Sequence, residues 1–148
     1  MLGAIVGGGL ACGTLDIIAA FVVYGALGTP QLVLLQFIAS GALGRASFQG
    51  GLATAALGLV FEYVIAFGAA TAFVLATRVL PVLLDATALA GVLYGVFVYY
   101  FMQLVVVAHS RAPKQPFSLK AMIIGVVIHI ICVGLPIAIA ARRGSTRT

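Results

Sequence analysis

The sequence predicts an all-α polytopic membrane protein: a four-transmembrane-helix bundle with a short interfacial or re-entrant helix between the first and second spans. Composition is the first reason. Hydrophobic residues make up 64% of the 148 and charged residues 7%, which leaves no stretch of the length and polarity that a separate water-soluble domain needs. The second reason is length: a hydrocarbon core of about 30 Å takes about 20 helical residues to cross. Four apolar stretches reach that, at about 2–27, 49–77, 86–108 and 119–141. The third is continuity, because a closed barrel needs many alternating segments of about 10 residues, and these stretches are apolar throughout.

No Lys or Arg precedes the first span, its apolar run exceeds that of a signal peptide, and Asp16 interrupts its centre, so it is expected to be retained. Gly9-Leu10-Ala11-Cys12 has the residues of a lipoprotein cleavage box in the wrong order. Next, Thr29 has the form of an N-cap with Pro30 at the first helical position, and Gly41 and Gly44 supply stop signals, which predicts a helix over about 30–43. At 1.5 Å per residue it covers roughly 20 Å, too little to cross alone. Gln31, Gln36 and Ser40 are its polar residues. Asp85 is the expected N-cap of the third span and Ser118 that of the fourth. Pro113-Lys114-Gln115-Pro116 reads as a rigid turn rather than a polyproline ligand.

Gly3-x-x-x-Gly7, Gly9-x-x-x-Gly13 and Gly91-x-x-x-Gly95 each put two glycines on one helical face. Packing within the chain is favoured over a dimer seam. There is no internal repeat of the kind that inverted-repeat transporters carry. The net charge of +5 belongs to the membrane edges, where Arg111, Lys114, Lys120, Arg142 and Arg143 are expected to meet lipid headgroups at roughly 1 kcal/mol each. Nucleic-acid binding is excluded by the lack of a hydrophilic surface for a groove-reading element. Counting Arg78, Arg142, Arg143 and Arg147 against Arg45, Arg111, Lys114 and Lys120 gives a tie, so the positive-inside rule sets no orientation. The Arg142-Arg143 pair directly abutting a span leans both termini, on one side, toward the cytoplasm.

Asp16, Glu62 and His129 lie near the midpoints of three spans. A charge at mid-bilayer costs from about 2.5 kcal/mol to more than 10, so such residues face a partner or a water-filled cavity. With spans in alternating directions the three fall at one depth. In a structural reading, each carboxyl is neutral or hydrogen-bonded to Thr14, Tyr63, a tyrosine of the third span or His129, and fixes helix register. In a second, they bind and release a proton or cation along a path. A third builds a metal site from Cys12, Asp16, His129 and Cys132, whose thiolate and imidazole groups suit zinc or copper(I). The second and third readings need the first and fourth helices to be neighbours, with Asp16 in hydrogen-bond reach of His129. No nucleophile elbow, paired metal motif or phosphate loop is present, so no enzymatic activity and no cofactor are expected.

Gly9-Leu-Ala-Cys-Gly-Thr-Leu-Asp16, Phe48-Gln-Gly-Gly51, Tyr94-Gly-Val-Phe-Val-Tyr-Tyr100 and His129 through Arg143 run over nearly the whole chain. Together they give a sequence that resembles small uncharacterised bacterial inner-membrane proteins of a YagU-like kind. The resemblance implies a four-span protein of the bacterial inner membrane with no established activity. It also implies a histidine near Glu62, within Phe61-Glu-Tyr-Val-Ile-Ala66, from which this chain departs. The leading expectation is a small non-enzymatic membrane protein, an accessory or minor subunit of a larger assembly, with lipids and other membrane subunits or a second copy as partners. The alternative is a homo-oligomeric proton- or cation-linked channel or transporter using the midplane cluster.

Overall fold

A computed structural model describes residues 1–145, so Arg147 lies outside the described residues. Among the described residues the longer helices are α1 (Leu2–Ala26), α2 (Gln31–Leu43), α3 (Gly51–Val79), α4 (Thr87–Val107) and α5 (Leu119–Ser145). Among the described residues there is no strand. All but α2 are long and apolar enough to cross a membrane, and the protein is a multi-pass membrane protein. Large apolar side chains such as Val22, Leu52, Val64, Leu93 and Ile131 stand exposed around the bundle, as a hydrocarbon solvent allows. The fifth helix runs four residues beyond its expected end at 141, so that Arg142 and Arg143 sit in its last turn near the C-terminal carbonyls.

Helix starts follow local chemistry, with two departures from expectation. Ser118 caps α5 as expected, its hydroxyl accepting from Ala121 N–H at 3.3 Å. Thr29 does not cap α2. Pro30 takes that place with extended backbone (φ −61°, ψ 143°), and its carbonyl accepts the first helical bond from Leu34 N–H at 3.0 Å. Asp85 does not cap α4 either, because it closes a separate helical turn, Val82–Asp85, and Ala86 holds the cap position.

Without a hydrophobic drive between helices in lipid, association rests on close packing, and glycine permits the closest approach. On α1, Gly9 and Gly13 lie under the rings of Phe67 and Tyr63 of α3; a Cβ on Gly13 would fall 2.8 Å from the Tyr63 ring. On α4, Gly91 and Gly95 meet the backbone of α5 at Gly134, Leu135, His129 and Ile130. Both motifs therefore serve packing within the chain, whereas Gly3 and Gly7 have no neighbour within 4 Å of the Cβ position. Gly8 packs on Ala140 and Gly144 on Ala4, so α1 and α5 are neighbours and the two ends of the described chain lie at the same end of the bundle. That end is solid, filled by Phe73, Val74, Ile137 and Ala138.

The opposite end is crossed by α2. This helix starts near Gly25 of α1, passes α3 where the Leu35 carbonyl presses on Gly58, and ends where Gly41 accepts a 2.9 Å bond from Arg111 N–H. Buried Gln36 anchors it, donating to Gly51 O at 3.1 Å and to Thr54 Oγ1 at 3.4 Å. A 3₁₀ segment, Gly44–Gln49, then leads into α3, and its Ser47 hydroxyl returns a 2.8 Å bond to Gln36 O.

Two π-helical stretches interrupt the spans, Met102–Val107 at the end of α4 and His129–Gly134 in α5. The second has an evident cause. Pro136 has no N–H, and its ring crowds the carbonyl four residues earlier, so the preceding turn opens.

Candidate functional site

The site is built where α1, α3 and α5 converge. Gly9 and Gly13 hold α1 against α3, and Asp16 follows Gly13 on that side. Tyr63, whose ring covers Gly13, is adjacent in sequence to Glu62. The two carboxyl groups thereby come close to each other at the α1–α3 seam, on the wall of one cavity. A hydrogen bond between two carboxyl groups needs a proton on one of them. The Oδ1 atom of Asp16 is buried with no hydrogen-bond partner.

His129 opens the π stretch of α5. Its Nδ1 donates to the Gly125 carbonyl at 2.9 Å, since a carbonyl oxygen can only accept, which leaves Nε2 as the ring nitrogen available to other groups. Tyr99 of α4 steadies the ring edge-on, at 5.4 Å between centroids and 79° between planes.

Asp16, Glu62, His129 and Cys12 all line one cavity of about 190 Å³. Its far side is formed by Phe37, Ile38 and Gly41 of α2 and by Ser110 and Ala112 of the α4–α5 connection. Both π stretches contribute, with Met102, Val106 and Val107 from one and His129 and Val133 from the other. The cavity thus extends from the depth of the carboxyl pair to the end crossed by α2, while the other end of the bundle is packed. It is one-sided.

Several of the structural partners expected for the carboxyl groups are engaged elsewhere. Thr14 and Tyr63 bond each other at 2.9 Å, and Tyr94 donates to the Ala69 carbonyl at 2.7 Å. Asp16 and His129, expected to meet directly or through one water, border the same cavity without a direct bond, the imidazole Nδ1 being turned back to Gly125 on its own helix. The metal reading is corrected too. Among the described residues no three His, Cys, Asp or Glu side chains are placed to hold one ion. Cys132 is buried but off the cavity wall, because the wider π turn shifts the helical repeat and brings Val133 rather than Cys132 back beneath His129.

No family model matches the chain, and no curated protein or solved structure matches it.

The basic residues sit at the bundle edges. Lys114 bonds the carbonyls of Val107 at 2.6 Å and Ala108 at 2.9 Å, capping α4, and Arg142 donates to Thr87 Oγ1 at 3.4 Å. Arg111, Lys120 and Arg143 are exposed. Sequence reasoning missed the part of α2 in the cavity. Phe37 and Ile38 are ordinary apolar residues, and only Gln36, a polar residue in a greasy helix, signalled that this segment is anchored inward.

Proposed function

We propose that the protein is a small non-enzymatic transporter that exchanges a proton for a cation at the Asp16–Glu62 pair. The observation that carries the reading is the shared cavity: two facing carboxyl groups and an imidazole line it within one chain. A site completed by a single chain needs no axial path between subunits, so homo-oligomerisation is not part of the proposal. One-sidedness favours a transporter over an open channel, because the packed Phe73–Ile137 end must open before the ion can pass.

The chemistry is charge exchange. With one shared proton the pair carries a single negative charge, and replacing that proton by a monovalent cation keeps the total unchanged. His129, with Nδ1 tied to Gly125, presents Nε2 to take or pass the proton through water toward the α2 end. The resemblance to YagU-like proteins supports a location in the bacterial inner membrane, and the Arg142-Arg143 pair in the last turn of α5 supports both termini in the cytoplasm.

Reconstitution tests the proposal. Proteoliposomes under an imposed pH gradient should show cation-dependent proton flux, and Glu62→Gln should remove it while preserving folding. Unchanged flux in a folded Glu62→Gln protein would refute it.

A second reading, an accessory subunit of a membrane assembly, has its own supporting observation. Leu59, Val60, Tyr63, Val64 and Phe67 form a shallow apolar surface along α3, on which a helix of another subunit could pack. Co-purification of a stoichiometric membrane subunit, with no flux from the isolated chain, would favour it.

A further inference from the structure

Resting on the transport reading, we infer that the cavity binds a small monovalent organic ammonium ion, about the size of one six-membered ring with a short cationic arm, its charge seated between Asp16 and Glu62. Charge points to a cation. The titratable groups on the wall are Cys12 and Asp16 from α1, Glu62 from α3 and His129 from α5, while α2 and α4 contribute none and no Lys or Arg lines it. The nearby ammonium of Lys114 is held by the carbonyls at the end of α4.

The rest of the wall points to an organic ion. Phe37, Ile38, Ile65, Val98, Met102 and Val133 are apolar, and the Ser110 hydroxyl is already spent on the Val107 carbonyl. A bare metal ion needs a shell of six or so oxygens, which two carboxyl groups do not complete. An ammonium ion carrying apolar groups needs no such shell. It neutralises the pair at one end and gives the apolar wall its contacts.

Size narrows the class. A cavity of about 150 Å³ takes benzene, so about 190 Å³ admits one ring with a small ammonium substituent. A molecule of two fused rings with long chains would have to displace α2. The exchange balances, since one cation enters, one proton leaves the carboxyl pair, and the site remains singly negative.

The probe is benzyltrimethylammonium, which has no proton of its own to release. Calorimetric titration of the lipid-reconstituted protein in two buffers of different ionisation enthalpy should show saturable binding with about one proton released per ion, as linkage requires. Glu62→Gln should weaken binding by about a hundredfold, as should replacing the probe with its neutral isostere neopentylbenzene. Val133→Phe, which narrows the cavity while leaving both carboxyl groups in place, should weaken probe binding and the proton release coupled to it in parallel. Wild-type protein that keeps its Glu62-dependent proton flux but does not bind the probe would overturn the ammonium site alone. Absence of both would overturn the transport reading with it. Binding that is equally strong in Glu62→Gln would place the probe elsewhere and overturn the site.

Discussion

Replacing Gly134 by alanine is expected to be the most damaging single-methyl change in the α4–α5 seam. A Cβ at Gly134 would lie 2.6 Å from Gly95 N and 2.9 Å from Gly95 Cα, and closer still to the Gly91 carbonyl oxygen. All three are backbone atoms on a facing helix, so no rotamer can relieve the contact. The helices must separate by roughly 0.5–1 Å, a gap that forfeits a quarter to a half of each dispersion contact along the seam. Overpacking of this kind costs about 1–3 kcal/mol, offset by about 1 kcal/mol from the better helix propensity of alanine. A net loss of up to about 2 kcal/mol follows, toward the upper end because every contact is backbone on backbone. The chain supplies its own reporter, since its two cysteines, Cys12 and Cys132, are buried. A thiol-reactive fluorogenic dye should therefore label the protein only as it unfolds on heating. Gly134→Ala should lower the labelling midpoint by several degrees. Gly7→Ala, where no atom lies within 4 Å of the new methyl, should leave it unchanged or slightly raised. Equal midpoints for the two variants would refute the close α4–α5 packing.

Tyr63→Phe removes the hydrogen bond to Thr14 and should lower the same midpoint by no more than about 1 kcal/mol equivalent, leaving proton flux intact because neither hydroxyl touches the carboxyl pair. Gln36→Leu should release α2, which loses its bonds to Gly51 and Thr54; proteolysis between Gly28 and Gly50 in detergent should accelerate while the dye midpoint moves little. Gly44, at φ +63°, ends α2 in a conformation that side chains with a Cβ resist, so Gly44→Val should cost about 1–2 kcal/mol and show the same local release.

The fold was legible because hydrocarbon imposes few solutions: length and continuity fixed the spans to within a few residues, except where the last helix keeps its basic turn. The common depth of Asp16, Glu62 and His129 followed from helix direction alone, and the structure brings all three to one cavity. Finer placement was not legible. The register of α5 depends on a π stretch ahead of Pro136: a straight α-helix keeps both Cys132 and Val133 on the His129 face, whereas the wider turn leaves Val133 alone on the cavity wall. The partners expected for Asp16 were chosen by depth, whereas the facing residue, Glu62, is selected by glycines 9 and 13, which set how closely and at what angle α1 meets α3. The place of α2 across the end of the bundle depends on Gly58 and Gln36, which in the sequence look like one more small residue and one more polar one.

The central claim is that Asp16 and Glu62 share an exchangeable proton inside the bundle, and infrared difference spectroscopy of the reconstituted protein tests it most directly. Only three side chains carry a carboxyl group, and the third, Asp85, is exposed in a connection. Near neutral pH the account predicts a protonated-carboxyl C=O band that disappears when the proton is displaced by base or by a bound cation, and that is absent or shifted in both Asp16→Asn and Glu62→Gln. A spectrum without that band, or one that keeps it unchanged in both variants, would contradict the shared proton and the transport chemistry built on it.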